Sequence, residues 1–166
     1  MKRFLFLIGC FFSTIATASN WQLAYVTDNG STLFYDLESL TYPSDNKVQV
    51  WLALVLSSDE VDSNSSRKFN VIVFLRELDT KKRMFQDLYH TLYEGAEPVR
   101  ELRVTPKWKH IVPSTNAATL YKLVTTKYVS DPKGIDGSFA DLVTFGRKVA
   151  TVLLTDEKLQ KEKTAY

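Results

Sequence analysis

Few side chains in this sequence stand at spacings that could do chemistry. His90 and His110 are the only histidines, and neither has a second histidine, a cysteine or a paired carboxylate at metal-ligand spacing. Both read as structural or surface groups. Asp59, Glu60 and Asp62 cluster in a serine-rich stretch that lacks the spaced oxygen ligands and glycine of a calcium loop, so a solvated loop is expected. The chain has no Gly-x-Ser-x-Gly elbow, phosphate loop or dinucleotide fingerprint, so neither an enzyme nor a cofactor is expected. What remains is basic: Lys81-Lys82-Arg83, with Arg100 and Arg103 downstream. Such a cluster could grip an acidic segment or a glycosaminoglycan on a partner. Equally, lysines at a turn blunt a sheet edge against unwanted pairing.

The elements that must position these groups are mostly strands. Trp21 to Val26 alternates, with Trp21, Leu23 and Tyr25 on one face. Asp28-Asn29-Gly30 then marks a hairpin turn into Ser31–Asp36, because asparagine and glycine tolerate positive φ. Val48 to Leu56 is apolar enough for a central strand, and the polar Ser57–Arg67 stretch after it reads as a surface loop. Phe69–Leu78 and Arg83–Tyr93 form a pair joined by Asp79-Thr80-Lys81-Lys82, and Val99–Val104 lies between prolines as a short edge strand. Strands at this spacing, with no helix between them, predict an antiparallel meander.

The period then changes. Ala117, Leu120, Tyr121 and Val124 fall on one face of a helix, with Ser114 or Thr115 as its N-cap. A helix with one apolar stripe is expected to pack across the sheet. Ser130-Asp131-Pro132-Lys133-Gly134 reads as a hinge. Beyond it, Phe139, Leu142, Val143, Gly146, Val149, Val152 and Leu153 recur at helical spacing, with Asp136 or Ser138 as candidate caps. The last ten residues, Glu157 to Tyr166, are expected to fray.

The start of the chain carries an address. Lys2 and Arg3 precede an apolar run from Phe4 to Ala18 that ends Ala16-Thr17-Ala18, the pattern of a secretory signal cleaved after Ala18. The run is shorter than the ~20 residues a membrane-spanning helix needs. Cys10, the only cysteine, follows Leu7-Ile8-Gly9 and offers a minority lipidation site. Processing there would leave an apolar signal core of only about six residues, below the usual range of ~7–15. Export places the chain in the periplasm or on the outer-membrane surface, with a membrane contact only if Cys10 is acylated. Cleavage after Ala18 also removes Lys2 and Arg3, which leaves nineteen basic and nineteen acidic side chains. A net charge of zero speaks against nucleic acid as a partner.

These segments, in order from Trp21 to about Val124, resemble the surface-adhesin protein E family of small exported bacterial proteins. The resemblance rests on Trp21, Leu33-Phe34-Tyr35-Asp36-Leu37-Glu38-Ser39-Leu40, Val48-Gln49-Val50-Trp51 and Leu78-Asp79-Thr80-Lys81-Lys82-Arg83. It continues through Tyr93-Glu94-Gly95, then Trp108 to Pro113-Ser114, and Leu120-Tyr121-Lys122-Leu123-Val124. It implies an α+β domain over residues 19–129: an antiparallel sheet of about six strands with a helix on one face, and a possible homodimer. The family's named activity is binding host extracellular-matrix proteins. The alternative is a periplasmic binding, inhibitor or envelope-stress module with no host partner. The family also implies a disulfide between helix and sheet, whose positions here are Thr80 and Thr125. Losing such a link costs roughly 2–5 kcal/mol. The C-terminal helical extension over 130–166, beyond the resemblance, is expected to compensate through apolar burial by Phe139–Leu154.

Overall fold

A computed structural model describes the backbone of residues 19–128, 134–135 and 137–164, and side chains within these as far as residue 157. The expected leader, with Cys10 and the cleavage point at Ala18, lies outside the described residues. So do most of the 130–134 hinge, the candidate cap Asp136 and the last two residues.

The described chain forms strands β1 (Trp21–Val26), β2 (Thr32–Asp36), β3 (Thr41–Ser44), β4 (Lys47–Val61), β5 (Lys68–Asp79), β6 (Met84–Glu94), β7 (Glu97–Leu102) and β8 (Lys109–His110). Helices α1 (Asn116–Thr126) and α2 (Phe139–Thr164) follow. All strands join one antiparallel sheet in the order β1-β2-β4-β5-β6-β7, with β3 added beside β4 and β8 beside β6. The expected α+β class and meander are present, with eight strands in place of about six. The two additions are short and exposed, so neither carries the in-out alternation that announces a half-buried strand.

Both faces of this sheet are covered, each by its own helix. In β2 the pleat sends Leu33 and Tyr35 to one side and Phe34 to the other. On the first side Leu120 and Val124 of α1 pack on Leu33, Tyr35, Val50 and Leu52. Thr115 caps α1, its side chain accepting the Ala118 amide, and Lys127 ends it in the left-handed conformation (φ 50°). On the second side Leu142 of α2 packs on Phe34, Ala53, Val55, Val71 and Val73. Ser138 and Asp141 close the start of α2 reciprocally: the Ser138 amide donates to the Asp141 carboxylate (2.8 Å) and the Asp141 amide donates to the Ser138 hydroxyl (3.4 Å). Gly146 lets α2 approach closely; its carbonyl accepts the buried Thr32 hydroxyl at 3.1 Å. The C-terminal segment therefore covers the second face of the sheet.

Three expectations change. Pairing runs Leu23↔Phe34 and then Tyr25↔Leu33, so a bulge at Ala24 turns Tyr25 to the α1 side while Trp21 and Leu23 stay on the α2 side. Ser57–Arg67 is only partly loop: β4 continues to Val61, pairs there with Lys68, and leaves a turn over 62–67. Its polar sequence follows from exposure, since every residue of Ser57–Val61 is exposed and Asp59 pairs with Arg147 of α2 (2.7 Å). Glu157–Thr164, read from the sequence as a tail, continue α2 as helical backbone.

Candidate binding surface

The basic residues singled out above do not gather in one place. Lys81, Lys82 and Arg83 form the exposed β5–β6 turn. Arg100 lies on β7 opposite Leu92, eight residues along β6 from Met84, which is about 27 Å of strand. There it is committed to the buried Asp62 (2.5 Å). The Ser65 hydroxyl and then the Arg100 guanidinium hold the Asp62 carboxyl below the usual range. Arg103 follows the end of β7, where Leu102 pairs with His90, about 20 Å along β6 from the turn. Antiparallel strands joined by a hairpin separate what lies close in sequence, so Arg100 and Arg103 leave the candidate cluster.

Other cations take their place. Lys47, at the start of β4, reaches Asp79 (3.1 Å) and lies over the Trp108 ring, 3.7 Å from its centroid. The Lys82 amide donates to Asp79 (2.8 Å), and that bond together with the Lys47 ammonium holds the Asp79 carboxyl below its ordinary pKa. Lys47, Asp79, Lys82, Met84 and Trp108 line a cavity of about 280 Å³. The Lys109 ammonium lies 5.7 Å from the Phe85 ring centroid, and Arg83 lies 5.5 Å from that of Tyr121. Among the described residues, none of Lys81, Lys82, Arg83 and Lys109 is in an ion pair. This corner therefore carries unneutralised positive charge beside an aromatic-lined recess. Sequence reasoning missed Lys47 and Lys109. The alternation Lys107-Trp108-Lys109-His110 was the available signal for the second.

The corner also marks where the family resemblance places a disulfide. Tyr121 of α1 donates its hydroxyl to the Thr80 carbonyl (3.1 Å), tying helix to turn without sulfur. Thr125 is exposed and donates its hydroxyl back to the Tyr121 carbonyl (2.7 Å).

Neither histidine stands in a group of three ligands, and no metal-holding cluster of His, Cys, Asp or Glu occurs among the described residues. His110 is an exposed residue of β8. His90 packs edge-on against Phe74 (5.4 Å between centroids) and lies 3.8 Å from Asp87, which is itself bonded to Arg76. Burial pushes the His90 pKa below that of ordinary histidine, against the pull of Asp87. A histidine depressed in the folded state contributes stability that is present above its unfolded pKa of about 6.5 and is lost as pH falls through the folded value. Stability in urea is therefore expected to rise from pH 5 to 7, and His90→Gln should flatten that slope. An unchanged slope in the variant would assign it elsewhere.

No family model matches the chain, and no curated protein matches it in sequence. Solved structures do. A structure of protein E from Haemophilus influenzae matches with a TM-score of 0.53 at 12% identity, over 69% of this chain and 90% of that one. The fold is that of protein E. A second protein E structure, from non-typeable Haemophilus influenzae, gives a TM-score of 0.50 at 12% identity over 86% of this chain and 92% of its own. Residues 1–129 make up only 129 of 166 positions, so the second protein E match must reach into residues 130–166. The likeness to protein E thus extends past Val124, where the sequence resemblance stops.

Proposed function

We propose that the chain is an exported, non-enzymatic binding protein, adhesin-like, that recognises a host extracellular-matrix protein through the basic corner at the β5–β6 turn. The observation that carries this reading is the protein E fold, matched over nine-tenths of one protein E chain. Lys81, Lys82, Arg83 and Lys109, in no ion pair among the described residues, fit acidic or sulfated groups on such a partner by the attraction of complementary charge. No helix among the described residues is long and apolar enough to cross a membrane. The leader pattern and, in the minority case, Cys10 are then what deliver the chain to the envelope.

The deciding experiment is labelling of intact cells with an impermeant reagent, with a periplasmic protein as control. Labelling, followed by binding to vitronectin or laminin, supports the proposal. Protection until the outer membrane is opened removes host adhesion and selects the periplasmic alternative. For the corner itself, Lys81→Glu with Lys82→Glu is expected to weaken matrix binding about tenfold or more at low salt and to flatten its salt dependence. Unchanged binding by the folded variant would move the site elsewhere.

A further inference from the structure

The α2 side of the sheet continues beyond the part that α2 covers. Leu142 packs on Ala53, Val55, Val71 and Val73, and towards the β5–β6 turn the same face goes on in three rows across β4, β5 and β6. Pairing sets Trp51, Leu75 and Tyr89 in the first row, Gln49, Glu77 and Gln86 in the second, and Lys47, Asp79 and Met84 in the third. Opposed residues share a face, and Trp51 packs against the cluster under α2, so all three rows lie on that side. Apart from the buried Asp79, all are half-exposed.

Each row has its own chemistry. The Trp51 and Tyr89 rings meet at 81° with centroids 5.6 Å apart, an aromatic floor with a wall beside it. In the second row Glu77 accepts from the Gln49 amide (2.7 Å) on one oxygen and from the Gln86 amide (3.2 Å) on the other. The carboxylate thus fixes both amides. Neither Gln Oε1 accepts a hydrogen bond among the described residues, and both are open to solvent. Each is an acceptor already held in place. The third row is ionic: Lys47 and Asp79, with Lys82 and Trp108, line the 280 Å³ cavity. First to third row spans about 13 Å of strand, and the three strands about 10 Å across.

We propose that this face binds an acidic oligosaccharide. A pyranose ring is apolar across its C–H faces and polar around its rim. An aromatic floor beside a line of fixed acceptors matches that division. One ring lies on Trp51 and Tyr89 and its hydroxyls donate to Oε1 of Gln49 and Gln86. The acid group of a neighbouring ring reaches Lys82 and Lys47 at the cavity, where the hydrogen bond is charge-assisted. The gradation selects the occupant: a neutral chain leaves the lysines unused, and a polyanion held by charge alone leaves the aromatic row unused. The site shares Lys82 with the proposed matrix contact, but the first two rows belong to it alone. It stands whether or not a matrix protein binds the turn.

Titration of the purified chain, from Ser19 onward, with a hyaluronan tetrasaccharide tests it, since that probe carries carboxylates and no sulfate. The three tryptophan indole N–H signals are followed by NMR. Those of Trp51 and Trp108 should move, and that of Trp21, buried on β1, should not. Chitotetraose, which has pyranose rings without the acid, should bind at least tenfold more weakly. Gln49→Leu with Gln86→Leu removes both acceptors at similar volume and should raise the Kd about tenfold or more. Matching thermal melts check that this variant is folded, and the comparison of the two sugars on the natural chain needs no variant. Silent indole signals overturn the proposal. So do shifts confined to the backbone of Lys81–Arg83, equal affinity for chitotetraose, or an unchanged Kd in the folded double variant. Capture of matrix proteins by that variant should stay at the natural level, so failure of this site and failure of the proposed function are read separately.

Discussion

Ending the chain after Val129 is expected to abolish cooperative folding as a soluble monomer. α2 covers Phe34, Ala53, Val55, Val71 and Val73, all 6% exposed or less, and contributes Leu142, which is fully buried. Burying one such side chain is worth about 1.5–3 kcal/mol, so uncovering the group forfeits on the order of 5–10 kcal/mol. That equals the net stability of many domains. Two point changes check the same contact without deletion. Leu142→Ala should cost about 2–5 kcal/mol by the transfer and cavity terms of a core truncation. Gly146→Leu should cost about 1–3 kcal/mol by overpacking, because even a Cβ at Gly146 would sit 3.2 Å from Phe34 and 3.3 Å from the Thr32 Cβ. Urea denaturation reads all three. An unchanged midpoint after truncation would mean that the sheet needs only α1, and that α2 serves something other than the core.

That result bears on the missing disulfide. Where the family resemblance places sulfur, this chain has Thr80 and Thr125, and α1 is tied to the turn by the Tyr121–Thr80 hydrogen bond. A neutral hydrogen bond contributes about 0.5–1.5 kcal/mol, less than the ~2–5 kcal/mol of a typical native disulfide. Burial of Leu142 against the second face, worth about 1.5–3 kcal/mol, is of the same order as that shortfall. The compensation expected of α2 is thus of the right order, and the truncation is its test.

The strands were legible as apolar, β-branched and aromatic runs between turn signals, and β2, β5 and β6 match their sequence bounds within a residue or two at each end. The helix α1 was legible, with its cap at Thr115, one of the two candidates. What failed did so where the rule's premise fails. At Ala24 one extra residue reverses the pleat, and nothing in Leu23-Ala24-Tyr25 marks it. Ser57–Val61 is a strand exposed on both faces, so its polar composition mimics a loop. For the site, the dense run Lys81-Lys82-Arg83 was visible, but Lys47 and Lys109 reach the same corner from β4 and β8 through pairing across the sheet. Arg100 looked free because its partner, Asp62, lies thirty-eight residues away and seemed to belong to a solvated loop. Charge in a sequence shows how many ions exist, and only the register shows which are already paired.

Trp21→Ala is expected to lower stability by about 3–5 kcal/mol, the range for truncating a buried tryptophan. Trp21 is 4% exposed at the start of β1, its indole tilted against Phe139 with ring centroids 5.9 Å apart. Its backbone exchanges hydrogen bonds with Ile135, donating at 3.3 Å and accepting at 2.9 Å. One residue therefore clamps the segment that enters α2 onto the outer edge of the sheet, so its loss should loosen the helix as well as leave a cavity. Hydrogen exchange should show this directly, with the amides of Ile135 and the first turn of α2 losing protection before those of β4 and β5. The other two tryptophans make the control. Trp51 is half-buried, edge-on to Tyr89 at 5.6 Å, and Trp108 stacks under Lys47. Trp108→Ala should cost only about 0.5–1 kcal/mol, the scale of an exposed cation–π contact, while releasing Lys47 at the basic corner. If Trp21→Ala and Trp108→Ala cost the same, the edge of β1 is not what holds α2 in place, and the helix is retained by the Leu142–Ala150 ridge alone.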